Sequence, residues 1–125
     1  MATWSKQDLR LYDMKRTPPE KRQADADAKS ERELQETIIQ YLRMKGVLAI
    51  VHSRMDKRTT QSKGVADIIC AVNGRALALE VKVGTNKPTD EQTEWLCDAQ
   101  SDGWVTRVVY RLEDAIEAYR EAAKV

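Results

Sequence analysis

At 125 residues the chain has room for one domain with a single hydrophobic core, and not for two. A composition of 42% hydrophobic and 33% charged residues fits a globular domain with a well-charged surface. A formal net charge of +1 excludes a global basic footprint, so any nucleic-acid contact must come from a local patch. No apolar run approaches the roughly 18 residues of a membrane span, and the amino terminus lacks the apolar stretch of a secretory signal. We therefore expect a cytoplasmic protein with no membrane partner. The two cysteines, Cys70 and Cys97, form no Cys-x-x-Cys pair and have no histidine at ligand spacing, which argues against structural zinc. Both lie on apolar patterns and are expected to be small buried hydrophobes.

Residues 1–30 mix charges, "TPP" and "ADADAK" without sustained apolar periodicity, and are expected to form a flexible or docking arm. Trp4, Leu9, Leu11 and Tyr12 are its candidate docking residues, against either the domain or a second subunit. The domain proper is expected over 31–125. In "SERELQETIIQYLRMKG", Leu34, Ile38, Tyr41 and Leu42 recur at helical spacing, with Ser30 as N-cap, Glu33 behind it and Gly46 as the stop. "VLAIVH" reads as a strand and "SRMDKRTTQSKG" as a polar, basic loop. Two further strands, "ADIICAV" and "RALALEVKV", flank Asn73-Gly74 and are apolar on nearly every residue, as suits a sheet covered on both faces. "PTDEQTEWLCDAQSDG" opens with a capping box, Thr89 with Gln92, and stops at Gly103. "WVTRVVY" is a strand and "LEDAIEAYREAAK" a closing helix. The expected fold is α/β, a mixed sheet flanked by helices in the order α-β-β-β-α-β-α.

The hairpin carries the chemistry. Asn-Gly favours a two-residue type I′ turn, which sets Val72 opposite Arg75 and, counting back, Asp67 opposite Glu80. Directly opposed side chains have Cβ atoms about 4.5–5.5 Å apart, where like charges repel. Lys82 shares the face of Glu80 by the period of two. Two adjoining carboxylates suit a hard cation such as Mg²⁺ or Mn²⁺, which can polarise a phosphate oxygen, and a lysine beside it can orient the attacking water. On the first helix Glu31 and Gln35 extend the stripe of Ile38 and Leu42 with polar groups, and Gln92 does so ahead of Trp95, Leu96 and Ala99. His52 ends the first strand with no orienting partner evident in the sequence. Arg54, Lys57, Arg58 and Lys63 crowd the following loop against a single acid, Asp56. Beside a phosphate-cleaving site, His52 and these four cations read as backbone-gripping DNA-binding residues.

Asp67 followed by Glu80-Val81-Lys82, with Gly64 before them and Glu31 on the preceding helix, resembles the PD-(D/E)XK nuclease superfamily, and more narrowly its VRR-Nuc (virus-type replication-repair nuclease) family. "ERELQETIIQYLRMKG", "KGVADII", "LALEVKVG" and "PTDEQTEWLCDAQSDGWVTRVV" carry the likeness, which spans residue 31 to the end. Ala66 stands where the superfamily name has proline, a position that holds no metal. The resemblance implies a restriction-endonuclease-like core and Mg²⁺- or Mn²⁺-dependent cleavage of DNA phosphodiesters to 5′-phosphate and 3′-hydroxyl ends. It further implies action as a homodimer on branched DNA such as Holliday junctions, in a bacterial cell or phage-infected host. Asp67, Glu80, Glu31 and the Val81 backbone carbonyl would hold the metal, Lys82 would be the catalytic lysine, and Gln35 and Gln92 would support them. The alternatives are a non-catalytic DNA-binding or assembly module of the same fold, which intact Asp67, Glu80 and Lys82 argue against, and an enzyme acting on small phosphate esters, disfavoured by the lack of a phosphate-cradling glycine loop.

Overall fold

The computed structural model describes residues 19–53 and 64–124. Helix α1 runs Pro19–Met44, strand β1 Ile50–His52, β2 Ile68–Val72, β3 Arg75–Val81, helix α2 Asp90–Ser101, β4 Val105–Val109 and α3 Leu112–Ala123. The element order is the one expected. The strands form one mixed sheet in the order β1-β2-β3-β4, antiparallel except for β3 with β4, whose crossover is α2.

α1 starts eleven residues before the expected cap, so Ser30 lies inside the helix and residues 19–30, assigned above to the arm, are helical. Proline suits the first turn, where its missing N–H would be unpaired in any case. The residues that follow are mostly alanine, glutamate, lysine, arginine and glutamine, all strong helix formers. Pairs one turn apart add support: Gln23 donates to Asp27 at 2.8 Å, and Lys29 lies 3.9 Å from Glu33. This half shows no apolar stripe because it is mostly solvent-exposed, whereas Ile38 and Leu42 further along are fully buried. The helix ends in a Schellman motif: Gly46, at φ 89°, donates to Arg43 and Val47 donates to Leu42, both at 3.0 Å. Residues 1–18, with the four docking candidates, lie outside the described residues.

The Asn-Gly turn holds as expected, with positive φ at both Asn73 (51°) and Gly74 (80°). Its register pairs Val72 with Arg75 and runs back to Ile68 with Leu79, where the ladder stops one pair short of Asp67 and Glu80. The strands are therefore shorter than the apolar runs suggested. The sheet divides two environments. On one face α1 and α3 cover Ile68, Cys70, Leu77, Leu79, Val81 and Val109. Ala115, Ala118 and Ala122 are buried there, and their small size lets α3 approach the strands closely. On the other face α2 covers Ala66 and Ala78 with Leu96, and Trp95 meets Trp104 edge-on at 5.5 Å. Cys70 is buried as expected, and burial pushes its thiol up to about 11. Cys97 is exposed, against expectation: one residue past Leu96, it is turned about 100° off the buried line of Leu96 and Ala99.

Candidate active site

At the end of the β2–β3 ladder the backbone of Asp67 leaves the strand, and its carboxylate takes over the pairing: Oδ2 accepts from the Val81 N–H at 2.9 Å. On the other flank the Ser53 N–H donates to the Asp67 carbonyl at 2.9 Å, and the Ser53 hydroxyl donates to the Ala66 carbonyl at 2.8 Å. Asp67 is thus clamped between β1 and β3. Gly64 anchors the approach to it. At φ 95°, a side chain here would drive a Cβ to 2.5 Å from the Glu91 carbonyl oxygen, so only glycine lets this segment lie against the first turn of α2.

Glu80 lies beside Asp67 and is 1% exposed, one of two buried polar or charged residues among those described. Lys82 Nζ stands 3.6 Å from its Oε1. Its Oε2 is buried with no hydrogen-bond partner among the described residues. An ionised carboxylate in that position lacks water and a full donor set. Burial first, then the charge of Asp67, push the Glu80 carboxyl up to about 8, against the opposing pull of Lys82. Two carboxylates held this close, one of them with an unpartnered buried oxygen, form a set of hard oxygen donors that a divalent cation would suit.

Glu31 and Gln35 project from α1 into a groove of about 920 Å³ that also takes in His52, Ser53 and Asp67. Burial raises the Glu31 carboxyl above its ordinary range, Lys82 opposes, and Asp67 and Asp27 add to the rise. Glu31 is therefore in electrostatic reach of Asp67 and Lys82. Among the described residues no three Asp, Glu, His or Cys groups close on one point at ion-binding distance. Gln35 Oε1 lies 2.6 Å from His52 Nε2, supplying the partner that the sequence did not reveal. Gln92 forms its capping box: the Thr89 N–H donates to its Oε1 at 2.9 Å, so that oxygen is turned to the start of α2. Behind Lys82, the Tyr110 hydroxyl donates to the Asn86 carbonyl at 2.9 Å, and the Asn86 amide donates to Asp27 at 3.3 Å, tying the loop after β3 to α1. Nothing in the sequence pointed to Ser53, Asn86 or Tyr110, whose contacts cross the fold. Arg54, Lys57, Arg58 and Lys63 lie outside the described residues. No helix among the described residues is long and apolar enough to cross a membrane.

Compared with solved structures, the chain is similar to one described as a "VRR_NUC domain protein", with a TM-score of 0.60 and 21% sequence identity over 74% of this chain and 86% of that one. No family profile matches the sequence, and no curated protein matches it. The fold is that of a VRR_NUC domain, as the motifs Asp67 and Glu80-Val81-Lys82 implied.

Proposed function

We propose that this chain is a divalent-metal-dependent DNA endonuclease of the VRR-Nuc type, selective for branched DNA such as Holliday junctions. One observation carries the reading: a buried glutamate with an orphaned oxygen, packed against a second carboxylate and a lysine at the open end of a sheet. Lys82 meets only one of the two Glu80 oxygens, and burying two acids together is costly where positive charge reaches them this incompletely.

Asp67, Glu80 and the Val81 carbonyl would hold Mg²⁺ or Mn²⁺, a donor set of hard oxygens that fits either ion. When bound, such an ion supplies Lewis-acid polarisation of the scissile phosphate. The chain's own residues do the rest. Asp67 is pinned by two backbone contacts, so its free oxygen is aimed without reorganisation. Lys82, held against Glu80, presents a positive charge to the phosphate as negative charge builds there and orients the water that attacks in line with the leaving oxygen. Glu31 and Gln35 form the groove wall opposite. Arg54, Lys57, Arg58 and Lys63, the cations of the loop after β1, would grip the DNA backbone. Two copies acting as a homodimer would pair two cuts across a junction.

The test is cleavage of a labelled four-way junction, a matched duplex and single strands, with Mg²⁺, Mn²⁺ or chelator, by wild type and Asp67→Ala. Metal-dependent cutting that the variant loses is the expected result, with paired nicks confined to the junction. Tight, salt-sensitive binding without cutting would replace the nuclease by the DNA-binding module.

A further inference from the structure

The hydrogen bond between His52 and Gln35 has a chemical consequence for the substrate. Gln35 Oε1 only accepts, so the ring nitrogen facing it, Nε2, carries a hydrogen and donates across the 2.6 Å contact. That leaves Nδ1 as the remaining polar atom of a ring that lines the groove beside Asp67. The groove is hostile to phosphate: α1 contributes Asp25, Glu31, Glu33 and Glu36 against Lys29 and Arg32, and the sheet side adds Asp67. A DNA phosphate entering there needs a donor fixed against it. Phosphate oxygens only accept, so Nδ1 can meet one only when it too bears a hydrogen.

We infer that His52, oriented by Gln35, is a substrate-positioning residue that donates from Nδ1 to a DNA phosphate neighbouring the scissile one, so that substrate binding takes up one proton. The inference rests on the proposed DNA-cleaving function and specifies how one wall of its groove holds the strand. Gln35 acts through His52, and the proton comes from bulk water. A purely structural bond would tie β1 to α1 and leave the affinity for DNA indifferent to pH at this residue.

The chain has a single histidine, so its ring nitrogens give one unambiguous pair of signals in ¹⁵N spectra of the full-length protein. Binding to a short duplex is measured between pH 6 and 8 with Ca²⁺ in place of Mg²⁺, alongside cleavage in Mg²⁺, for wild type, His52→Asn, Gln35→Leu and Gln35→Glu. Wild type is expected to bind up to about tenfold more weakly per pH unit at the alkaline end, with Nδ1 becoming protonated when DNA is added. His52→Asn removes that pH dependence and weakens binding about tenfold at pH 6, the scale of one charge-assisted hydrogen bond. Gln35→Leu loosens it, and Gln35→Glu, which keeps an acceptor, preserves it even where the leucine variant fails to fold. If His52→Asn folds and binds with the wild-type pH profile, the inference is wrong although cleavage stands. If wild type binds with this profile but cuts nothing, the cleavage reading falls and the positioning role survives.

Discussion

Strand β3 presents two different proteins to its two sides. Leu77, Leu79 and Val81 are wholly buried against α1 and α3, in a cluster that is apolar throughout. Their neighbours Ala78, Glu80 and Lys82 face the other way, where α2 alone covers a smaller cluster and gives out before the end of the strand. Glu80, at 1% exposure, is as buried as Leu79 beside it, yet Leu79 joins the apolar core while Glu80 keeps a buried oxygen without a partner among the described residues. A two-residue period lets a single strand carry both, an apolar layer on one face and a cluster of charged groups on the other, without either intruding on its neighbour.

That division can be broken from either side. The largest effect is expected from Lys82→Ala, which on the proposed function should cut cleavage by at least about a thousandfold by removing the positive charge beside Glu80 while leaving the apolar face intact. Single-turnover rates on junction DNA check this, with circular dichroism confirming the fold. Next, Leu79→Ala should lower unfolding free energy by about 2–5 kcal/mol, measured by urea denaturation, since it opens a cavity in the packed face. Glu80→Gln should do the reverse in metal-free protein at pH 8. The folded protein holds the Glu80 proton up to about pH 8, whereas the unfolded chain releases it near its ordinary value of 4.5. Stability from this group is therefore full below about pH 4.5 and is lost as pH rises through about 8. Urea midpoints of metal-free wild type should fall across that window, the fall should vanish in Glu80→Gln, and Mg²⁺ should restore stability only to wild type, releasing a proton seen by calorimetry. The smallest effect is expected from Thr89→Ala, which removes one cap from α2 at a cost of about 1 kcal/mol and should shift the thermal midpoint by a few degrees.

The juxtaposition at the centre of the candidate site was legible because its signal is local. Asn73-Gly74 dictates the turn and the turn dictates the pairing, so Asp67, Glu80 and Lys82 could be set side by side by counting. The start of α1 was not legible by the same means, since a helix projecting into water needs no apolar stripe and betrays itself only by propensity and pairs such as Lys29 with Glu33. Gln92 satisfied two readings equally, and the structure gives its carbonyl to Thr89. Cys97 sat on an apolar pattern that one step around the helix turns outward. The bond of His52 to Gln35 joins residues seventeen positions apart in different elements, and no periodicity within either element encodes it.

Asp67 reaches its place by accepting the Val81 N–H, and Val81 is placed by the same ladder that begins at Val72 and Arg75. The site is thus indexed to a turn at the far end of the hairpin, with no adjustment in between. One residue inserted at Asn73-Gly74 must be taken up within the turn, because a slip of β3 by one position would send Glu80 into the apolar layer and Leu79 toward the groove. The turn, exposed and at the far end of the hairpin from Asp67, is accordingly a place where the number of residues matters to the site although none of them lines it.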